Sequence, residues 1–154
     1  MIFNNSLLVF EDELLKRSVW RIILDILRKY TFDARPINTH RGRVSLIGDV
    51  LSIDMQHVKS SAPLHMDIPL KDIVGLDFGF DDVYCFFMSP IWSGPYMKPL
   101  YIAYTDKNSA KVKFYLFADF DPGLRVNPNS RTQDLYEVLG NRVAELIKGK
   151  DQSR

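Results

Sequence analysis

The chain has a single cysteine, Cys85, which excludes an intramolecular disulfide and leaves the hydrophobic core to hold the fold. Its neighbours from Val83 to Met88 are apolar, the setting of a buried, inert thiol, and one unpaired cysteine fits a reducing compartment. Excess charge of either sign is also missing. Against 20 Lys plus Arg stand 19 Asp plus Glu, a formal net charge of +1, so nothing global steers the molecule toward a polyanion. No strand joins basic and aromatic residues in one stripe, so nucleic acid is not an expected partner. No charge-free apolar stretch reaches the roughly 20 residues of a membrane span. The longest, Val83 to Met97, is broken by Pro90, Gly94 and Pro95. The first residues, Met1 to Ser6, lack the positive start of a secretory signal, and acids arrive at Glu11. The expectation is a soluble cytoplasmic protein.

Catalytic constellations are missing too. His40, His57 and His65 lie in separate segments without metal-ligand spacing. Ser45, Ser52 and Ser89 sit in no nucleophile elbow, and Cys85 has no neighbouring base. Gly75 and Gly79 are embedded in a strand pattern, not in a phosphate-cradling loop. Asp81-Asp82 reads as a solvated turn before it reads as an acid–base pair. His65 and Asp67 share the polar side of one strand and could meet there. The sequence therefore predicts no catalytic residue, no metal and no cofactor, and the chain is read as a non-enzyme.

What the chain does have is alternation. With 154 residues, 46% of them hydrophobic, it is long enough for one domain with a real core. From Arg43 to Phe120 apolar and polar residues alternate almost without a break. Arg43–Ile47 and Val50–Met55 read as a hairpin around Gly48-Asp49. Leu64–Leu70, Val74–Phe80, Val83–Met88, Leu100–Thr105 and Lys111–Ala118 read as further strands, with Gly75 and Gly79 marking a bulge. A capping box at Ser130 and Gln133 then opens a helix whose apolar face is Leu135, Val138, Leu139, Val143, Leu146 and Ile147, ending near Gly149. Six or seven antiparallel strands followed by one packing helix define an α+β fold, a curved sheet or partly open barrel.

The N-terminal part is different in kind. Glu11 to Tyr30 reads as a helix, with acids at its start and Arg28 and Lys29 at its end. Its apolar residues cover most of the circumference, so contact with one surface cannot hide them all. Trp20, Leu24 and Leu27 lie on the side left over, which reads as core, as a dimer surface or as a membrane anchor. The acids at Glu11–Glu13 weigh against the membrane. Thr31 to His40 reads as a linker. The expected division is a helical extension over 1–34, a sheet domain over 35–149 and a tail over 150–154.

Three stretches carry a family resemblance. Gly42–Ile47 followed by Val50–Ile53 is similar to the early hairpin of pleckstrin-homology-like domains. Ile68-Pro69-Leu70-Lys71-Asp72-Ile73 is similar to their "I-P-L-x-D-I" signature, and Pro99–Tyr104 with the last strand and helix matches their second half. Over about residues 35–148 the chain resembles the pleckstrin-homology-like superfold, including bacterial PH-like and GRAM-type domains. The added N-terminal helix lies outside that pattern. The resemblance implies a binding module. A phosphoinositide-binding member would carry a basic loop where this chain has the short acidic turn Gly48-Asp49, with Arg41 and Arg43 before it.

The expected function is thus non-catalytic recognition of a protein partner, or self-association as a homodimer. Its surface would be Trp20, Leu24 and Leu27 of the first helix with Trp92, Tyr96 and Met97 of the proline-rich loop 90–99. That loop reads either as an exposed anchor or as a plug folded into one end of the sheet. The alternatives are a lipid or membrane-surface binder of the PH or GRAM type, and a cystatin-like small-ligand binder or enzyme. A polar cleft holding His65 with Asp67 or Asp77 would mark the last.

Overall fold

Strand β1 (Ile2–Phe10) sets the architecture, because it is the middle strand of the sheet. The computed structural model describes residues 1–18, 20, 21, 24, 36–87, 98–120 and 131–151. After β1 come α1 (Glu11–Leu15), β2 (His40–Ile47), β3 (Val50–His57), β4 (Pro63–Pro69), a 3-10 turn (Leu70–Asp72) and β5 (Ile73–Phe78). Then follow α2 (Asp82–Phe87), β6 (Leu100–Thr105), β7 (Lys111–Phe117) and α3 (Thr132–Asp151). The seven strands form one open antiparallel sheet in the order β4-β3-β2-β1-β7-β6-β5. Two meanders, β2–β4 and β5–β7, thus flank β1, which pairs with β2 on one side and β7 on the other. The protein is α+β, as the alternation predicts.

Each face of this sheet is used differently. Phe3, Leu8, Val44, Leu51, Ile53, Ile68, Ile102, Phe114 and Leu116 bury one face, and Leu135 and Leu139 of α3 close over them. α3 lies on β5, the 3-10 turn and β6. At the centre of the sheet the opposite face is buried as well. Leu7, Val9, Tyr115 and Phe117 point there and meet Leu14 of α1, Ile37, Tyr84 of α2 and Phe120. Each fully buried large side chain contributes roughly 1.5–3 kcal/mol, so β1 and β7, buried on both sides, carry much of the fold.

Four expectations are corrected. Residues 2–10 are a strand inside the sheet, not part of a helical extension over 1–34. Covered on both faces, Leu7-Leu8-Val9 shows no alternation. The helix expected over Glu11–Tyr30 is interrupted: α1 ends at Leu15, and Ser18 starts a new turn, its carbonyl accepting the Arg21 amide at 3.0 Å. Residues 20, 21 and 24 are helical, and the rest of that span lies outside the described residues. Over Val83–Phe87 the expected strand Val83–Met88 is instead part of the helix α2, and Met88 lies outside the described residues. Asp81 caps it, its Oδ1 accepting the Tyr84 amide at 2.7 Å. Finally, α3 continues through Gly149 to Asp151, into the expected tail. The capping box expected at Ser130 and Gln133 falls on Ser130, which lies outside the described residues; the Gln133 side-chain amide donates to Glu137 Oε1 at 3.0 Å.

Two details shape the outer side of β2–β4. A Cβ on Gly42 would overlap the Asp54 carbonyl oxygen and stand 2.7 Å from Met55 Cα, so only glycine lets β2 and β3 approach so closely. Opposite Gly42, β1 bulges between Phe3 and Ser6. The amides of Asn4 and Asn5 turn away from β2 and donate to Asp119 Oδ1 at 2.7 and 3.5 Å.

Candidate functional site

Of the six residues expected to bind a partner, Trp20 and Leu24 are described. Leu27, Trp92, Tyr96 and Met97 lie outside the described residues, as does most of the 90–99 loop. Trp20 is 75% exposed and Leu24 56% exposed, four residues apart in a helical stretch, hence on one side of it. Leu15, at the end of α1, is 62% exposed. Leu14, by contrast, is fully buried against the sheet. The segment after β1 thus anchors through Leu14 and then presents large apolar groups to water.

The outer face of β2–β4 carries cross-strand rows set by register. Arg43 lies opposite Asp54 and Asp54 opposite His65, while Ser45, Ser52 and Asp67 make the next row. His65 Nδ1 lies 2.5 Å from Asp54 Oδ1, and its Nε2 lies 3.2 Å from Asp67 Oδ2. Two carboxylates can both accept only from the imidazolium, which has an N–H on each side. The bond to Asp54, then the bond and charge of Asp67, hold the imidazole above its ordinary range. The Ser52 hydroxyl, and after it His65, keeps the Asp67 carboxyl low. The pairing of His65 with Asp67 was legible from strand alternation; Asp54, eleven residues away, entered only through the β3–β4 register. Asp77 sits on β5, the far edge of the sheet. An open groove of about 500 Å³ runs along this face beside Asn4, Arg41, Arg43, Gln56 and His65.

A second polar cluster ties α1 to the sheet. Glu13 Oε2 accepts from the Phe10 amide at 3.1 Å and from Thr39 Oγ1 at 2.5 Å. Thr39 Oγ1, its proton spent on Glu13, accepts from His40 Nδ1 at 2.9 Å. The His40 ring meets the ring of His57 edge to face at 5.1 Å. Burial, opposed by Glu13 and aided by His57, lowers the His40 pKa. His57 Nδ1 accepts the amides of Lys59 and Ser60 at 3.3 and 3.1 Å and so shapes the β3–β4 turn.

A third cluster lies where α1 and α2 meet β7. Lys113 Nζ lies 3.0 Å from Glu11 Oε2, and the Tyr115 hydroxyl donates to Asp81 Oδ2 at 2.7 Å. Asp81, expected in a solvated turn, is thus spent on capping α2 and holding Tyr115. These contacts join elements; none leaves a nucleophile beside a free base.

Among the described residues no group of three or more His, Cys, Asp or Glu side chains could hold a metal ion, and no helix is long and apolar enough to cross a membrane. No protein-family model, curated protein or solved structure matches the chain.

Proposed function

We propose that the protein is a non-catalytic binding module of the pleckstrin-homology-like type that recognises a protein chain, in the first instance a second copy of itself, through the helical segment around Trp20 and Leu24. One observation carries this: a tryptophan three-quarters exposed beside an exposed leucine on one side of a helical segment, tethered to the sheet by a buried Leu14. Trp is the residue most enriched among interface anchors, and solvent exposure of several large apolar groups is costly without a partner. The strand order, two three-stranded meanders around β1 followed by a helix against one face, supports the PH-like part of the reading. The position after β1 leaves the helical segment outside that common core. A cytoplasmic setting agrees with the lone cysteine.

The test is the solution mass of the full chain over a concentration series, beside the double variant Trp20→Asp, Leu24→Asp. The intact chain is expected to self-associate and the variant to remain monomeric with an unchanged melting temperature, because neither side chain is buried. A parent that stays monomeric up to millimolar concentration refutes self-recognition. A variant that melts well below the parent shows that the two residues are core.

A further inference from the structure

The outer face of β2–β4 leaves two cations unused. Arg41 and Arg43 are both exposed and stand two residues apart on β2, so their side chains leave the same face about 7 Å apart. Among the described residues neither has an ion-pair partner. The acid opposite Arg43 by register, Asp54, is held by His65, and so is Asp67. The two arginines border the open groove of about 500 Å³. The side-chain amides of Asn4 and Gln56 line the same groove and form no hydrogen bond among the described residues. Its hollow coincides with the close approach of β2 and β3 at Gly42 and with the β1 bulge across from it.

We propose that this groove binds a small ligand carrying two oxyanion groups, a dicarboxylate or a phosphate ester with a second anionic group, one on each guanidinium. Each guanidinium offers a planar fork of donors matched to a carboxylate or phosphoryl group. The spacing of the two forks asks for two such groups instead of one. Asn4 and Gln56 add amide donors at the rim. The charge around the groove agrees. β2 contributes Arg41 and Arg43, β3 Asp54, β4 His65 and Asp67, the β6–β7 turn Lys107, whose charge reaches Asp67, and β1 only the neutral Asn4. With His65 protonated these groups sum to four positive and two negative charges; with His65 neutral, one positive charge is lost. The site is independent of the surface around Trp20.

The test is titration of the full chain with succinate and, separately, with 3-phosphoglycerate, followed by amide chemical shifts, with acetate at matched ionic strength as control. Saturable shifts confined to β1–β4 are expected for at least one dianion, with acetate at least tenfold weaker. Arg41→Gln and Arg43→Gln should each weaken binding tenfold or more while the spectrum elsewhere and the melting temperature stay as in the parent. Raising the pH until His65 is neutral should weaken binding about two- to fivefold, the effect of one partly screened charge. Succinate and 3-phosphoglycerate separate the carboxylate from the phosphate source. Acetate matching the dianions, equal affinity in the arginine variants, or no saturation by 10 mM of either dianion overturns the proposal.

Discussion

Tyr84 and Tyr115 pack with ring centroids 4.9 Å apart and ring planes tilted by 43° in the layer between the sheet and its two short helices, yet their hydroxyls meet opposite fates. The Tyr84 hydroxyl is fully buried and has no hydrogen-bond partner among the described residues. The Tyr115 hydroxyl donates to Asp81 at 2.7 Å. A buried, unsatisfied polar group costs about 1–3 kcal/mol, and a hydrogen bond to a charged group contributes about 1.5–3 kcal/mol. Tyr84→Phe keeps the ring contacts with Tyr115 and Phe117 and removes only the orphaned oxygen, so it should stabilise the fold by about 1 kcal/mol. At this chain length that is about 2–4 °C in melting temperature. Tyr115→Phe should destabilise by about 1.5 kcal/mol, the low end, because Asp81 retains the Tyr84 amide. Urea unfolding of the two single variants measures both. Alkaline pH gives a second readout. Burial raises the Tyr84 pKa, and burial with the Asp81 bond raises that of Tyr115. Both exceed the unfolded value of about 10, so their share of stability is full below about pH 10 and is lost as pH rises further. Tyr84→Phe should flatten that loss. A Tyr84→Phe variant less stable than the parent by 1 kcal/mol or more would refute the reasoning, since it would mean the hydroxyl is doing favourable work.

Three further outcomes are expected. Gly42→Ala forces a side chain onto the β3 backbone, which cannot yield as a flexible side chain would, so it should cost about 3 kcal/mol or more. A parent-like melting temperature would show that β2 and β3 do not approach so closely. His40 and His65 should bend the pH profile in opposite senses. His40, lowered by burial, binds its proton more weakly in the fold than in the unfolded chain, so stability is lost as pH falls below about 6.5. His65, raised by Asp54 and Asp67, contributes stability below the unfolded value that is lost as pH rises. Unfolding free energies of His40→Gln and His65→Gln across pH 5 to 8.5 should therefore flatten opposite limbs. Asp119, at φ +51, receives the Asn4 and Asn5 amides and pairs with Arg131 at 3.5 Å. Asp119→Ala should cost about 2 kcal/mol, and Asp119→Asn, which tolerates that backbone and keeps an acceptor, clearly less; equal losses would show that the acceptor is irrelevant.

Legibility in the sequence followed solvent exposure. β2, β3 and β4 face water on one side, so Leu51, Ile53 and Met55 alternate with Ser52, Asp54 and Gln56 and the strands can be read directly. β1 and α2 have no such pattern. Leu7, Leu8 and Val9 are all buried because helices cover one face and α3 closes over the other. Tyr84 is buried too, and the run from Val83 to Phe87 is as apolar as a strand. There the decisive signal was Asp81 as a helix cap, a residue that also fits a turn. The candidate site divides along the same line. Exposure of Trp20 and Leu24 was foreseeable from an apolar arc too wide for one contact surface. The Asp54–His65–Asp67 arrangement needed the β3–β4 register, and the placing of Arg41 and Arg43, without an ion-pair partner among the described residues, beside a groove needed the β1 bulge at Asn4.

The position of β1 decides how the role of Trp20 and Leu24 must be probed. Leu8 pairs with His40, and the Thr39 amide donates to the Leu8 carbonyl at 2.9 Å, so the chain leaves the sheet after β1 and returns beside the strand it left. Glu13 closes the base of this excursion by accepting from both Phe10 and Thr39. Cutting the chain before Phe32 would remove the middle strand, strip β2 and β7 of a common partner and unfold the protein whatever the helical segment does. Replacing the stretch between Ser18 and Pro36 with a Gly/Ser linker instead retains β1, Leu14, Glu13, Ile37 and Thr39. Changing the length of a connection whose ends are already fixed alters stability by only about 0.6 kcal/mol per twofold change in length. The excised chain should therefore unfold cooperatively within about 1 kcal/mol of the parent and lose self-association together with Trp20 and Leu24. If it loses cooperative unfolding, the excised stretch completes the layer over Tyr84 and Tyr115, and the interface assigned to it does not exist.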